Sequence, residues 1–101
     1  MILFLDDVRN VEDIYTVDTP HVLVRTIADA LYVIETNEKF EGWSLDHDLG
    51  DDERAIDFLK IASRDLIDKW PKGQVVVHSA NPVGRKNMES FISTFERVVL
   101  T

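Results

Sequence analysis

Five short apolar runs punctuate the chain: Ile2–Leu5, Val22–Val24, Trp43–Leu45, Val75–Val77 and Val98–Leu100. Each is almost unbroken in apolar character and rich in β-branched or aromatic residues. That is the signature of strands covered on both faces rather than strands with one wet side.

The intervening stretches carry the helical period. Thr26 and Asp29 form a capping-box pattern ahead of Ile27, Ala30, Leu31 and Ile34. Ile56, Leu59, Ala62, Leu66, Ile67 and Trp70 make a second apolar stripe, stopped by Pro71 and Gly73. The third begins with Asn81 as N-cap and Pro82 at the first helical position, then buries Met88, Phe91, Ile92 and Phe95. Strand and helix in alternation predict a parallel sheet with right-handed crossovers. The expected fold is a small α/β, receiver- or flavodoxin-like three-layer sandwich with a parallel five-stranded sheet. Residues 8–20, broken by Asp18 and Pro20, predict a reduced first crossover. At 101 residues the chain reads as a single domain, 1–101.

In such a sheet the strand C-termini share one edge, where ligand sites collect. Here that edge receives Asp6 and Asp7 after the first run, and Arg25 after the second. Asp46-His47-Asp48-Leu49 follows the third and His78-Ser79-Ala80-Asn81 the fourth. Loops with no task beyond connection favour Gly, Asn, Ser and Pro instead. His21 precedes its strand and belongs at the opposite end, as a structural or exposed histidine.

Composition narrows the chemistry. With no cysteine there is no disulfide framework and no thiolate, so a metal would be held by oxygen and imidazole. The formal charge of −8 opposes an extended nucleic-acid surface, which needs a basic stripe to displace counterions. A small phosphorylated ligand or an RNA end in a local pocket remains compatible with it. No apolar run approaches the length of a membrane span and no signal peptide is visible, so a cytoplasmic location is expected.

His47 and His78 facing one pocket would supply a general base and a general acid for phosphoester chemistry, with Asp46 or Asp48 orienting an imidazole. Arg9 and Arg25 would clamp phosphate oxygens, and the helix beginning after Asn81 would add backbone N–H groups. Asp6, Asp7 and Asp46 could hold Mg²⁺ or Mn²⁺, hard cations that take oxygen ligands. Asp46 could instead be a nucleophile or phosphoacceptor.

The acidic pair, Asp46 and Ser79 resemble the layout of bacterial response-regulator receivers. The lysine that receivers carry after their fifth strand has no counterpart following Val98-Val99-Leu100. A fuller resemblance runs through Phe4-Leu5-Asp6-Asp7-Val8-Arg9, Val24-Arg25-Thr26, Ser44-Leu45-Asp46-His47-Asp48-Leu49-Gly50 and Val77-His78-Ser79-Ala80-Asn81-Pro82-Val83-Gly84 with Asn87-Met88. These motifs resemble the cyclic-phosphate-processing receiver-like family. The resemblance implies a receiver-like fold turned to cyclic phosphate ends, such as 2′,3′-cyclic phosphates of RNA or nucleotides, with Ser79, Asn81 and Asn87 among the phosphate contacts. The alternative is a non-catalytic module that binds a phosphorylated nucleotide or a protein partner through the same crevice.

Overall fold

The computed structural model describes residues 1–6, 20–47, 54–79 and 81–100. Within them the chain runs β1 (Ile2–Leu5), β2 (His21–Val24), α1 (Ile27–Thr36), β3 (Gly42–Leu45), α2 (Ala55–Asp65), a 3₁₀ turn (Ile67–Lys69), β4 (Val75–Val77) and α3 (Pro82–Val98). The four strands pair in parallel in the order β2-β1-β3-β4. A parallel neighbour cannot be reached by a tight turn, so α1 carries the chain from β2 to β3 and α2 carries it from β3 to β4.

Both crossovers step across the sheet in the same direction. Right-handedness therefore puts both helices on the same face, and α3, following β4, joins them there. Leu3, Leu5, Val24, Trp43, Leu45 and Val77 point to that face and share one core cluster with Ala30 and Ile34 of α1, Phe58, Leu59 and Ala62 of α2, and Met88 and Ile92 of α3. Strand alternation sends the residues between them to the other face: Phe4, Leu23, Ser44 and Val76 lie side by side there in register. Among the described residues the architecture is thus one sheet and one helical layer. The third layer expected from the sequence, and the reduced first crossover expected over residues 8–20, are readings that fall largely outside the described residues.

Local signals act as anticipated at two helix starts. The Thr26 hydroxyl accepts from the Asp29 N–H at 3.1 Å, and the Asn81 side-chain oxygen accepts from the Gly84 N–H at 3.0 Å with Pro82 opening the helix. The second helix ends earlier than its apolar stripe suggests. Leu66 leaves helical geometry, and the 3₁₀ turn then delivers Trp70 into the core. There its ring packs 5.0 Å from Trp43 and 4.4 Å from Phe95, while its indole N–H donates to Glu96 Oε2 at 3.0 Å.

The fifth strand is a correction. Val98 is the last residue of α3, and the Val99 N–H still donates to the Phe95 carbonyl at 2.8 Å. No glycine or proline interrupts the chain after Gly84, so the helix simply continues. The β-branched residues lower helix propensity by only about 0.5 kcal/mol each, too little to stop it. Val98, Val99 and Leu100 stay 68 %, 52 % and 43 % exposed, unlike residues of a covered strand.

Candidate functional site at the strand C-termini

The strand ladder fixes the level of each candidate. Beyond the strands proper, Asp6 N–H donates to Val24 O, Asp46 N–H to Leu5 O and His78 N–H to Leu45 O. Asp6, Asp46 and His78 therefore stand at one height along the C-terminal edge, one each on β1, β3 and β4. His21 pairs with Ile2 at the other end and is exposed, as expected.

His78 belongs to the outermost strand, yet its ring reaches Asp6, two strands and roughly 10 Å of sheet away. It can do so because Ser44, on the strand between, is small. The imidazole lies over Ser44 and stacks on Phe4, ring centres 4.7 Å apart and planes 13° from parallel. Its Nε2 is 2.9 Å from Asp6 Oδ2 and its Nδ1 is 2.8 Å from Ser44 Oγ. A carboxylate can only accept, so Nε2 carries the proton and Nδ1 of the neutral ring accepts from the Ser44 hydroxyl. Were the ring charged, the same hydroxyl oxygen could accept from Nδ1. The side chains of His78 and Asp6 are 6 % and 1 % exposed, and Ser44 is fully buried. Arg25, at the end of β2, donates from Nη1 to the Asp6 backbone carbonyl at 3.2 Å and joins the same cluster.

His47 goes the other way. It continues the alternation of Trp43 and Leu45, so it faces the helices, where it is buried. Its ring rests on Gly84 in the first turn of α3: a Cβ built on that glycine would stand 2.5–2.6 Å from three ring atoms. Its carbonyl accepts from the Ala55 N–H at 3.0 Å, tying the end of β3 to the start of α2. Ser79 is buried on the same side, and its hydroxyl accepts from the Asn81 N–H at 3.0 Å, shaping the turn into α3.

The two histidines are therefore not a pair lining one pocket. They occupy opposite faces of the sheet at its C-terminal edge, and both nitrogens of His78 are already used by Asp6 and Ser44. Asp6, Arg25 and His78 form one group, while His47, Ser79, Asn81 and the α3 N-terminus form the other. Half-buried Asp46 sits on the edge between His78 and Asp6 by strand order. Asn87 is exposed on α3, beyond the first turn. Asp7, Arg9 and Asp48 lie outside the described residues.

Sequence reasoning missed Ser44 and Gly84. The serine was detectable as the single polar side chain inside an apolar strand, Gly42-Trp43-Ser44-Leu45. The glycine was detectable as a poor helix former one turn into a well-capped helix.

Among the described residues no group of three His, Asp or Glu side chains is assembled to hold a metal, and Asp6 Oδ2 is committed to His78. Away from this edge, at the exposed far end of α2, hydrogen bonds from Arg64 hold the Asp65 carboxyl below its usual range. Among the described residues no helix is long and apolar enough to cross a membrane.

A parallel sheet of this strand order, with acidic, imidazole and hydroxyl groups gathered at its C-terminal edge, defines a receiver-like domain. The chain matches the family model of the cyclic-phosphate processing receiver domain over residues 1–94 and belongs to that family. No curated protein and no solved structure matches it.

Proposed function

We propose that the domain hydrolyses a cyclic or terminal phosphoester, with a 2′,3′-cyclic phosphate of a nucleotide or RNA end as the substrate class. The observation that carries this reading is the buried Asp6–His78–Ser44 array beneath the strand edge. Apolar residues of similar volume would commonly stabilise a small domain as well or better. Polar groups kept at that expense, at the edge where such sheets bind ligands, support a site rather than a scaffold.

The division across two faces suits the reaction. Displacement at phosphorus places the entering and leaving oxygens roughly in line, so base and acid belong on opposite sides of the phosphorus. On this reading Asp46 activates water from the carboxylate side, with Asp6 and His78 fixing its surroundings. His47 gives a proton to the departing sugar oxygen from the helix side. Water adds to phosphorus, the bond to one ribose oxygen breaks, and a phosphomonoester is released. Arg25 and the α3 N-terminus at Asn81 bind the phosphate oxygens. Asp46 and Asp7, with whatever Asp6 has left beside its bond to His78, would be the donor set for Mg²⁺ or Mn²⁺, which when bound would offset phosphate charge. No step above requires it.

Phosphorus NMR of 2′,3′-cyclic nucleotides incubated with the protein, with and without Mg²⁺, tests the reading. The expected result is conversion to a monoester. It should slow by about a hundredfold or more in His47→Ala, the typical contribution of a positioned proton donor. Thermal protection by the nucleotide without any conversion would replace this reading with the binding module.

A further inference from the structure

Gly84 has no backbone reason to be glycine. It lies in α3 with an ordinary helical backbone, since no left-handed φ accompanies it. Its N–H is capped by Asn81. Alanine would be the better helix former at such a position. What excludes a side chain is the His47 imidazole: Cγ and Nδ1 lie 2.5 Å, and Cδ2 2.6 Å, from where a Cβ would be. Real Cβ atoms do not approach other atoms that closely, and the ring cannot retreat as a flexible chain end would, because His47 is buried and its carbonyl is held by the Ala55 N–H. Met88, one turn further along the same row of α3, is fully buried, so the helix cannot lift away without opening the core.

We propose that Gly84 is the positioning residue for His47: its missing side chain is a socket that seats the imidazole against the first turn of α3. The socket joins the end of β3 to the start of α3 and sets where the His47 proton is delivered. This assignment rests on His47 being the proton donor proposed above.

The test is a double-mutant cycle of Gly84→Ala and His47→Ala, read by turnover of 2′,3′-cyclic CMP and by thermal unfolding. Gly84→Ala is expected to lower kcat about as far as His47→Ala does, about a hundredfold or more, with KM changed by less than about twofold. In the His47→Ala background it should cost no further activity. There it should also raise the melting temperature by roughly 2–8 °C, the gain of alanine over glycine in a helix, whereas in the native background it should lower it. Independent, multiplicative losses of rate would overturn the proposal, as would a thermal effect of the same sign in both backgrounds. If Gly84→Ala fails to fold, the double variant must fold, and its failure would overturn the socket equally. Should the native protein turn over no cyclic nucleotide, the proposed reaction fails, and the thermal cycle still decides whether the socket exists.

Discussion

Ser44 illustrates how one small side chain can govern the site it lies beneath. A larger residue at that place would bar the His78 ring from crossing β3, and an apolar one would leave His78 Nδ1 without its 2.8 Å partner. A buried acceptor left unsatisfied costs about 1–3 kcal/mol. Ser44→Ala should therefore lower the free energy of unfolding by about that amount in urea titration, despite removing a single oxygen. A loss below about 0.5 kcal/mol, the scatter of inert substitutions, would mean that the hydrogen bond carries no weight. The Arg64–Asp65 pair makes the contrast. Its hydrogen bonds are as short, at 2.8 and 2.9 Å, but both partners are exposed to solvent. Its stabilisation exists above the ordinary carboxylate pKa, fades as acid protonates Asp65, and is screened by water throughout.

At the scale of elements, the helix caps and the first four strands were legible because each rests on local chemistry: an Asn or Thr oxygen for an orphan amide, a β-branched run for a covered strand. Two readings failed for reasons equally physical. Val98-Val99-Leu100 has strand-like composition, but a helix already under way needs a breaker to stop it, and none is present. The facing of the histidines turned on parity. His47 shares the parity of Trp43 and Leu45, which could be read from the sequence. Val75-Val76-Val77 offers no such contrast, so which way His78 points emerged only from the register of β4 against β3. The helical end of α3 makes its own prediction. Val99→Lys should change stability by less than about 0.5 kcal/mol, as at other exposed positions, whereas lysine on a covered strand would cost several times more. Chemical denaturation of that single variant separates the two.

Taken whole, the molecule carries an excess of eight negative charges, although one edge is meant, on the proposed reading, for a phosphate. Long nucleic acid is repelled by such a surface, so recognition should be confined to the terminal phosphate and its nearest sugar. A cyclic mononucleotide and a longer RNA bearing the same end should then bind within about threefold of each other, with a shallow dependence on salt. Affinity that climbs steadily with RNA length in fluorescence anisotropy would reveal a basic track that the net charge does not suggest. The reach of His78 over β3 also bears on how the sheet comes apart. An edge strand ordinarily frays first, and its amides exchange with solvent through small local openings. Here the end of β4 is tied across β3 to the Asp6 carboxylate at the end of β1, so it cannot peel away alone. The His78 amide, bonded to Leu45 O at 2.9 Å, should exchange deuterium nearly as slowly as the interior Asp46 amide, bonded to Leu5 O at 2.8 Å. In Ser44→Ala the two should part company, with the edge becoming the faster, because the outer strand would have recovered its freedom to leave first.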